Sequence, residues 1–187
     1  SMLLQLPTGG GKTFIAALIM LGTVGRQKRS WFIAHRKELL SQTSETFGKV
    51  ALDHGWIATK HKPEPEQYAQ LVGVQYVARR LDDVDAPDVI ITDEAHHATA
   101  ATYQTIYEKF PDAIHIGLSA TPERLDGTGL KDVYQTLIQG PSVKWLIDNG
   151  YLSQYRYFAP GEPDLAGIKT RGGDYAQDQL AKIMGNA

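Results

Sequence analysis

Pro7-Thr8-Gly9-Gly10-Gly11-Lys12-Thr13 follows a short apolar run, Met2-Leu3-Leu4-Gln5-Leu6, and opens an apolar segment of helical period at Phe14. A strand, a glycine-rich turn ending in Lys-Thr and then a helix are what a phosphate-binding loop requires. Successive glycines let backbone N–H groups turn inward around a polyphosphate, and the helix N-terminus adds its partial positive charge. Lys12 is expected to neutralise the outer phosphates and the Thr13 hydroxyl to ligate Mg2+, with Thr8, Gly9, Gly10 and Gly11 as the cradle. Leu6 stands where the common form of this loop begins with Gly or Ala. At the end of a strand, that change concerns packing.

Further along, Asp88-Val89-Ile90-Ile91-Thr92 reads as a buried strand that runs into Asp93-Glu94-Ala95-His96. Two adjacent acids at the exit of an apolar strand are costly unless a cation answers them. ATP with Mg2+ supplies one: Asp93 is expected to hold the metal's water shell and Glu94 to polarise the attacking water. Both motifs fall at the carboxyl ends of strands, where ligands bind in open α/β sheets.

The rest of the chain fits that frame. Short β-rich runs at 2–6, 30–34, 56–59, 70–74, 88–92 and 113–119 alternate with segments of helical period, the pattern of an α/β domain with a mostly parallel sheet. Core-facing helical stripes are expected at Phe14, Ile15, Leu18 and Ile19; at Leu39, Leu40, Thr43 and Phe47; at Tyr103, Ile106, Tyr107 and Phe110; and at Leu130, Val133, Tyr134, Leu137 and Ile138. Pro63-Glu64-Pro65-Glu66 reads as a turn. From Tyr151 the character changes. Residues 151–159 read as one more aromatic strand, and Asp174 with Gln177 as the cap of a final helix running toward Met184.

The 187 residues suit one domain, and 42% hydrophobic with 21% charged is ordinary globular usage. A net charge of −2 excludes binding of nucleic acid by bulk positive charge and leaves room for a local basic patch. The absence of cysteine excludes disulfides, zinc-thiolate sites and thiol catalysis, and fits a cytoplasmic setting. No run is long enough to span a bilayer. The six histidines give no metal-ligand spacing: His96 and His97 are neighbours expected to diverge, His54 and His61 flank a strand, and His35 and His115 lie elsewhere. Ser119 lacks the Gly-x-Ser-x-Gly turn of a hydrolase nucleophile.

The ordered set Pro7 to Thr13, Asp93 to His96 and Ser119-Ala120-Thr121 resembles the first RecA-like lobe of superfamily 2 helicases and translocases, a P-loop NTPase sheet with helices on both faces. Ala34-His35-Arg36-Lys37-Glu38-Leu39-Leu40 with Gln42 looks like that family's motif Ia, and Gly73-Val74-Gln75-Tyr76-Val77-Ala78-Arg79-Arg80 like its motif Ib region. The Asp-Glu-Ala-His box followed by Thr121-Pro122-Glu123-Arg124-Leu125-Asp126-Gly127 looks most like bacterial and phage DNA helicases, with RadD-like repair helicases and type III restriction subunits nearest. The resemblance implies catalytic roles for Lys12, Asp93 and Glu94 and a metal site at Thr13 and Asp93. It further implies coupling by His96, Ser119, Ala120 and Thr121, and strand contacts by Arg36, Lys37 and Gln75, with DNA favoured over RNA.

In the family a second RecA-like lobe supplies arginine fingers to the same nucleotide. Residues 1–150 are therefore expected to form the ATP-binding lobe and 151–187 to lead toward a second lobe, with little turnover in this chain alone. Two alternatives stand beside the helicase reading. One is the motor of a restriction or remodelling complex that translocates on duplex without unwinding it, and the other is a non-catalytic nucleic-acid scaffold. Intact Lys12, Thr13, Asp93 and Glu94 argue against the scaffold.

Overall fold

Ser30-Trp31-Phe32-Ile33-Ala34 is buried at every position, as a strand covered on both faces must be. Its side chains alternate. Phe32 and Ala34 enter one core with Leu71, Ile91 and Leu118, while Trp31 and Ile33 enter a second with Val72 and Ile90. The computed structural model describes residues 1–121 and 130–155, together with the backbone of 170–171 and 174–175.

In chain order the elements are β1 (Met2–Gln5), α1 (Lys12–Val24), β2 (Ser30–Ala34), α2 (Lys37–Lys49), β3 (Gly55–Ile57), β4 (Ala69–Gly73) and α3 (Val74–Val77). Then come β5 (Val89–Thr92), α4 (Ala101–Lys109), β6 (Ile114–Ser119), β7 (Thr136–Gln139) and α5 (Val143–Asp148), followed by the two-residue strands β8 (Thr170–Arg171) and β9 (Asp174–Tyr175). The main sheet runs β3-β4-β2-β5-β6-β1-β7, and every pairing in it is parallel. Ala16, Ala17 and Met20 of α1 with Leu40 and Phe47 of α2 cover the first face. Val74 and Val77 of α3 with Tyr103 and Ile106 of α4 cover the second. The architecture is a RecA-like α/β domain. Among the described residues, no helix is long and apolar enough to cross a membrane.

Five expectations fail in instructive ways. On α1 the sheet-facing residues are Ala16, Ala17 and Met20, all fully buried, whereas Phe14 and Leu18 are each 48% exposed. The helix is apolar on two adjoining stripes, and the small one lies against the strands because alanines permit a close approach. The stripe from Leu130 to Ile138 is not a helix. Leu130 to Tyr134 makes a single turn, with both Val133 N–H and Tyr134 N–H donating to Leu130 O, at 3.1 and 2.9 Å. The next residues become β7 along the open edge of β1, leaving Leu137 and Ile138 exposed.

Residues 151–155 form no strand, and 156–159 lie outside the described residues. Asp174 is in β9, paired antiparallel with β8, so it caps no helix; 176–187 lie outside the described residues, as does 122–127 of the run after Thr121. The strand expected at 56–59 is shorter, ending at Ile57.

Candidate functional site

The order β5-β6-β1 sets three strand ends side by side. Gln5 is level with Ser119 and Thr92 with Gly117, and Leu6 N–H donates to Ser119 O at 2.9 Å. The phosphate-type loop, the Ser-Ala-Thr triplet and the acidic pair therefore leave the sheet along one edge.

The loop owes its shape to its glycines. Gly9 and Gly11 have φ of 77° and 83°, a region that L side chains enter at a cost. A Cβ on Gly10 would come within 2.9 Å of Pro7 O, the acceptor of the Gly10 N–H. Gly11 is the N-cap of α1 and brings no side-chain cap, and the first turn holds no acid. The first amides of a 13-residue helix thus keep their donor capacity and positive dipole end for an anion. Space above Gly11 is open. Lys12 Nζ donates to Leu6 O at 3.2 Å. On the far side, a Cβ on Gly9 would meet Leu152 Cδ2 at 2.9 Å, so residues after α5 reach the loop. Thr8 is exposed and Thr13 half-buried.

Asp93 continues the β5–β2 pairing by donating its N–H to Ile33 O at 3.0 Å, and its side chain is buried. Glu94 follows at φ 48°, ψ 55°, a left-handed position that costs a non-glycine residue on the order of 1–3 kcal/mol and recurs at functional sites. That bend starts a 3-10 turn, Ala95–His97, and leaves the Glu94 carboxylate 3.3 Å from His96 Nδ1. The two acids are driven apart in acidity. Burial, then the charge of Glu94, raises the Asp93 carboxyl above its ordinary range, with Lys12 opposing. The His96 ring, its Nδ1 3.3 Å from the carboxylate, lowers Glu94 against its own burial, and Lys12 helps. Glu94 is therefore a carboxylate at neutral pH, while Asp93 is a buried acid with Lys12 as its opposing cation.

The coupling candidates are pinned locally. Ser119 is fully buried, its hydroxyl donating to Thr121 O and accepting from Thr121 N–H at 3.2 Å. Ala120 sits with Gln5 and Pro7 around a cavity of about 350 Å3 beside the loop. Beneath the acids lies a buried hydroxyl chain: Thr92 Oγ1 to Tyr107 at 2.7 Å, and Tyr107 to Tyr134 at 3.2 Å.

Strand-contact candidates gather elsewhere, at the ends of β2 and β4. Arg36 is the N-cap of α2 and Lys37 its first residue, both exposed. Lys37 and Gln75 border the same cavity of about 320 Å3. Arg79 and Arg80 are exposed, and the Arg80 guanidinium lies 4.1 Å from the centre of the Tyr76 ring.

His35 does not lie apart from His96 and His97. Arg36 Nε donates to His35 Nε2 at 3.1 Å, the His35 and His97 rings are 4.8 Å apart, and the His97 and His96 rings 4.1 Å. Contacts thus run from Arg36 to Glu94 through three histidines. The signal that could have found them is strand register: Ile33 pairs with Thr92, so the residues just past β2 and β5 leave the sheet level with one another.

A protein-family model described as type III restriction enzyme, res subunit, matches residues 1–124. A 51.5 kDa protein of Lactococcus phage (isolate 7-9) is 36% identical over 183 residues, 98% of this chain and 38% of its own length. A Saccharomyces cerevisiae protein named as a candidate ATP-dependent helicase, IRC3, is 27% identical over 96% of this chain and 29% of its own length. This chain thus spans about a third of these relatives. In three dimensions the crystal structure of the UvsW helicase from bacteriophage T4 superposes with a TM-score of 0.62 at 16% identity, over 74% of this chain and 54% of that one.

Proposed function

The chain belongs to the family of type III restriction enzyme res subunits, as the first RecA-like lobe of a superfamily 2 helicase, and from that premise we propose how its residues work. The lobe binds ATP with Mg2+ between the loop of 8–13 and the Asp93–Glu94 box, and holds one nucleic-acid strand, DNA in preference to RNA, across Arg36, Lys37 and Gln75.

One observation carries the nucleotide reading. Lys12 opposes the charge of both Asp93 and Glu94 beside a helix start that has neither a side-chain cap nor an acid. The donor set fits a phosphate chain and its metal: glycine amides, the Lys12 ammonium and the Thr13 hydroxyl for one, and Thr13 with buried Asp93 for the other. Mg2+ held by Thr13 and Asp93 would neutralise charge on the phosphates. Glu94, held ionised by His96, orients water and accepts its proton. Ser119, Ala120 and Thr121 relay nucleotide state toward the strand-facing groups, and His96 links Glu94 to them.

Turnover draws on an arginine from a second lobe, worth roughly 10³–10⁵ in rate in related NTPases. The greater length of the matched relatives supports that arrangement. The restriction-subunit match also favours a second reading, a motor that translocates on duplex without unwinding it.

The test is a Mg2+-dependent thermal shift with ATP. Stabilisation lost in Lys12→Ala is expected. No stabilisation of the unsubstituted chain at millimolar ATP, or equal stabilisation of both, overturns the nucleotide assignment.

A further inference from the structure

The cavity at the ends of β2 and β4 holds more than the strand-contact candidates. Its lining includes Lys37, Trp56, Lys60, His61, Gln75 and Tyr76, and no acid. In a chain with a net charge of −2 that is a strong local bias. The neighbouring cavity against Trp31 shows the contrast: there Arg29 and Arg80 face Glu64, Asp83 and Asp85, so acids outnumber cations.

The aromatic groups are arranged as well as present. Trp56 is the middle residue of the edge strand β3 and packs partly into the first core, which fixes its indole. After β3 the chain turns back, with His61 N–H donating to Ala58 O at 3.3 Å and Lys60 at φ 69°. That turn lays the exposed His61 ring flat on Trp56, centroids 3.9 Å apart and planes 11° from parallel. Lys60 stands beside the stack, and Lys37 enters from the first turn of α2.

We propose that Trp56 and His61 form a base-stacking subsite for one unpaired nucleotide, whose flanking phosphates are held by Lys37 and Lys60. Stacking surfaces interleaved with cations are how proteins hold single strands without reading sequence. Phosphate contacts alone hold a duplex and a single strand through the same groups, whereas a stacked base must be unpaired. The subsite therefore gives this lobe a preference for single strands, and none of Trp56, Lys60 and His61 lies in a helicase motif. The inference rests on the strand-binding part of the proposed function.

The experiment titrates the chain, at low salt, with a short oligothymidylate and with an abasic strand of equal length. Trp56 emission is read in a Trp145→Phe background, where the other tryptophan, Trp31, is only 1% exposed. The intact strand should quench Trp56 and bind roughly tenfold tighter than the abasic strand, the order expected for one stacked base. His61→Ala should remove most of that difference while leaving abasic binding intact. His61 is exposed, so this variant does not depend on tolerance at Trp56, and Trp56→Phe should keep part of the preference.

Equal binding of the two strands, weakened by Arg36→Ala with Lys37→Ala, overturns the subsite and leaves the strand-binding reading standing. No binding of either strand overturns both. A preference for the intact strand that His61→Ala does not reduce also overturns the subsite.

Discussion

The ends of β5, β6 and β1 and the ends of β2, β3 and β4 lie on the same side of one sheet, yet they are built from opposite materials. At the first, charged groups are drawn inward and constrain one another: Asp93 is buried, Glu94 sits in a strained backbone position and is held by His96, and Lys12 opposes both acids. At the second, Arg36, Lys37 and Lys60 are exposed, and the cavity that Lys37 and Lys60 line has no acid. Buried, interdependent charges favour one geometry and fail abruptly when a member is lost. Exposed cations act nearly independently and lose strength gradually with salt. The first region is suited to chemistry on a fixed target, and the second to a polymer that must be held and released.

The largest expected effect tests the first half of that contrast. Glu94→Gln keeps the shape and removes the proton acceptor, so strand-stimulated ATP hydrolysis by the chain joined to a second RecA-like lobe should fall by about 10²–10⁴. The ATP-dependent thermal shift of the chain should survive. Equal loss of binding and turnover would mean that Glu94 holds the nucleotide and does not serve as a base.

Gly117→Ala comes next. A Cβ there would lie 2.5 Å from the Tyr134 ring and 2.8 Å from Ala95 Cβ, an overpacking expected to cost on the order of 1–3 kcal/mol or more. Chemical denaturation would read the cost. If the strand ends are as interdependent as proposed, ATP affinity falls too, because Ala95 follows Glu94 directly.

The motif-bearing parts of this architecture were legible in the sequence for a physical reason. Fully buried parallel strands such as β2 and β5 must be continuous apolar runs, and a loop that wraps phosphate must be glycine-rich, so function and pattern coincide there. Where two apolar solutions compete, pattern is silent. The spacing of Leu130, Val133, Tyr134, Leu137 and Ile138 fits a helix, but the open edge of β1 takes 136–139 as a strand and the Thr92–Tyr107–Tyr134 hydroxyl chain ties down the turn before it. On α1 only the closeness that alanine allows decides which stripe meets the sheet. The three-histidine contact was hidden for another reason: it depends on the pairing of β2 with β5, which no local pattern records.

A smaller effect is expected at the strand-facing end. Arg36→Ala and Lys37→Ala should each weaken a single strand several-fold, and each should lower the slope of log affinity against log salt by about 0.7, the value for one phosphate contact on a single strand. Near-additive losses are the expected result. A double variant much weaker than the sum of the two would erase the contrast, since it would make this region as interdependent as the other.

The smallest effect concerns the opposite edge of the sheet, and it sets the scale for both regions. Asp88 accepts the Arg29 N–H at 2.8 Å and pairs with Lys28 at 2.9 Å, joining the entries of β2 and β5. The hydrogen bond from Lys28 and then that from Arg29 N–H hold its carboxyl below the ordinary aspartate value of 3.8. A lowered carboxyl stabilises the fold above its unfolded value and loses that contribution as pH falls through the folded one. Asp88→Asn should therefore lower the thermal midpoint slightly at neutral pH and not at all in acid below both values, because the aspartate is then protonated and neutral like the amide. Salt should shrink the neutral-pH difference, since Lys28 and Asp88 are 59% and 39% exposed and exposed pairs are screened. A difference that persisted in acid would assign the role of Asp88 to shape and not to charge.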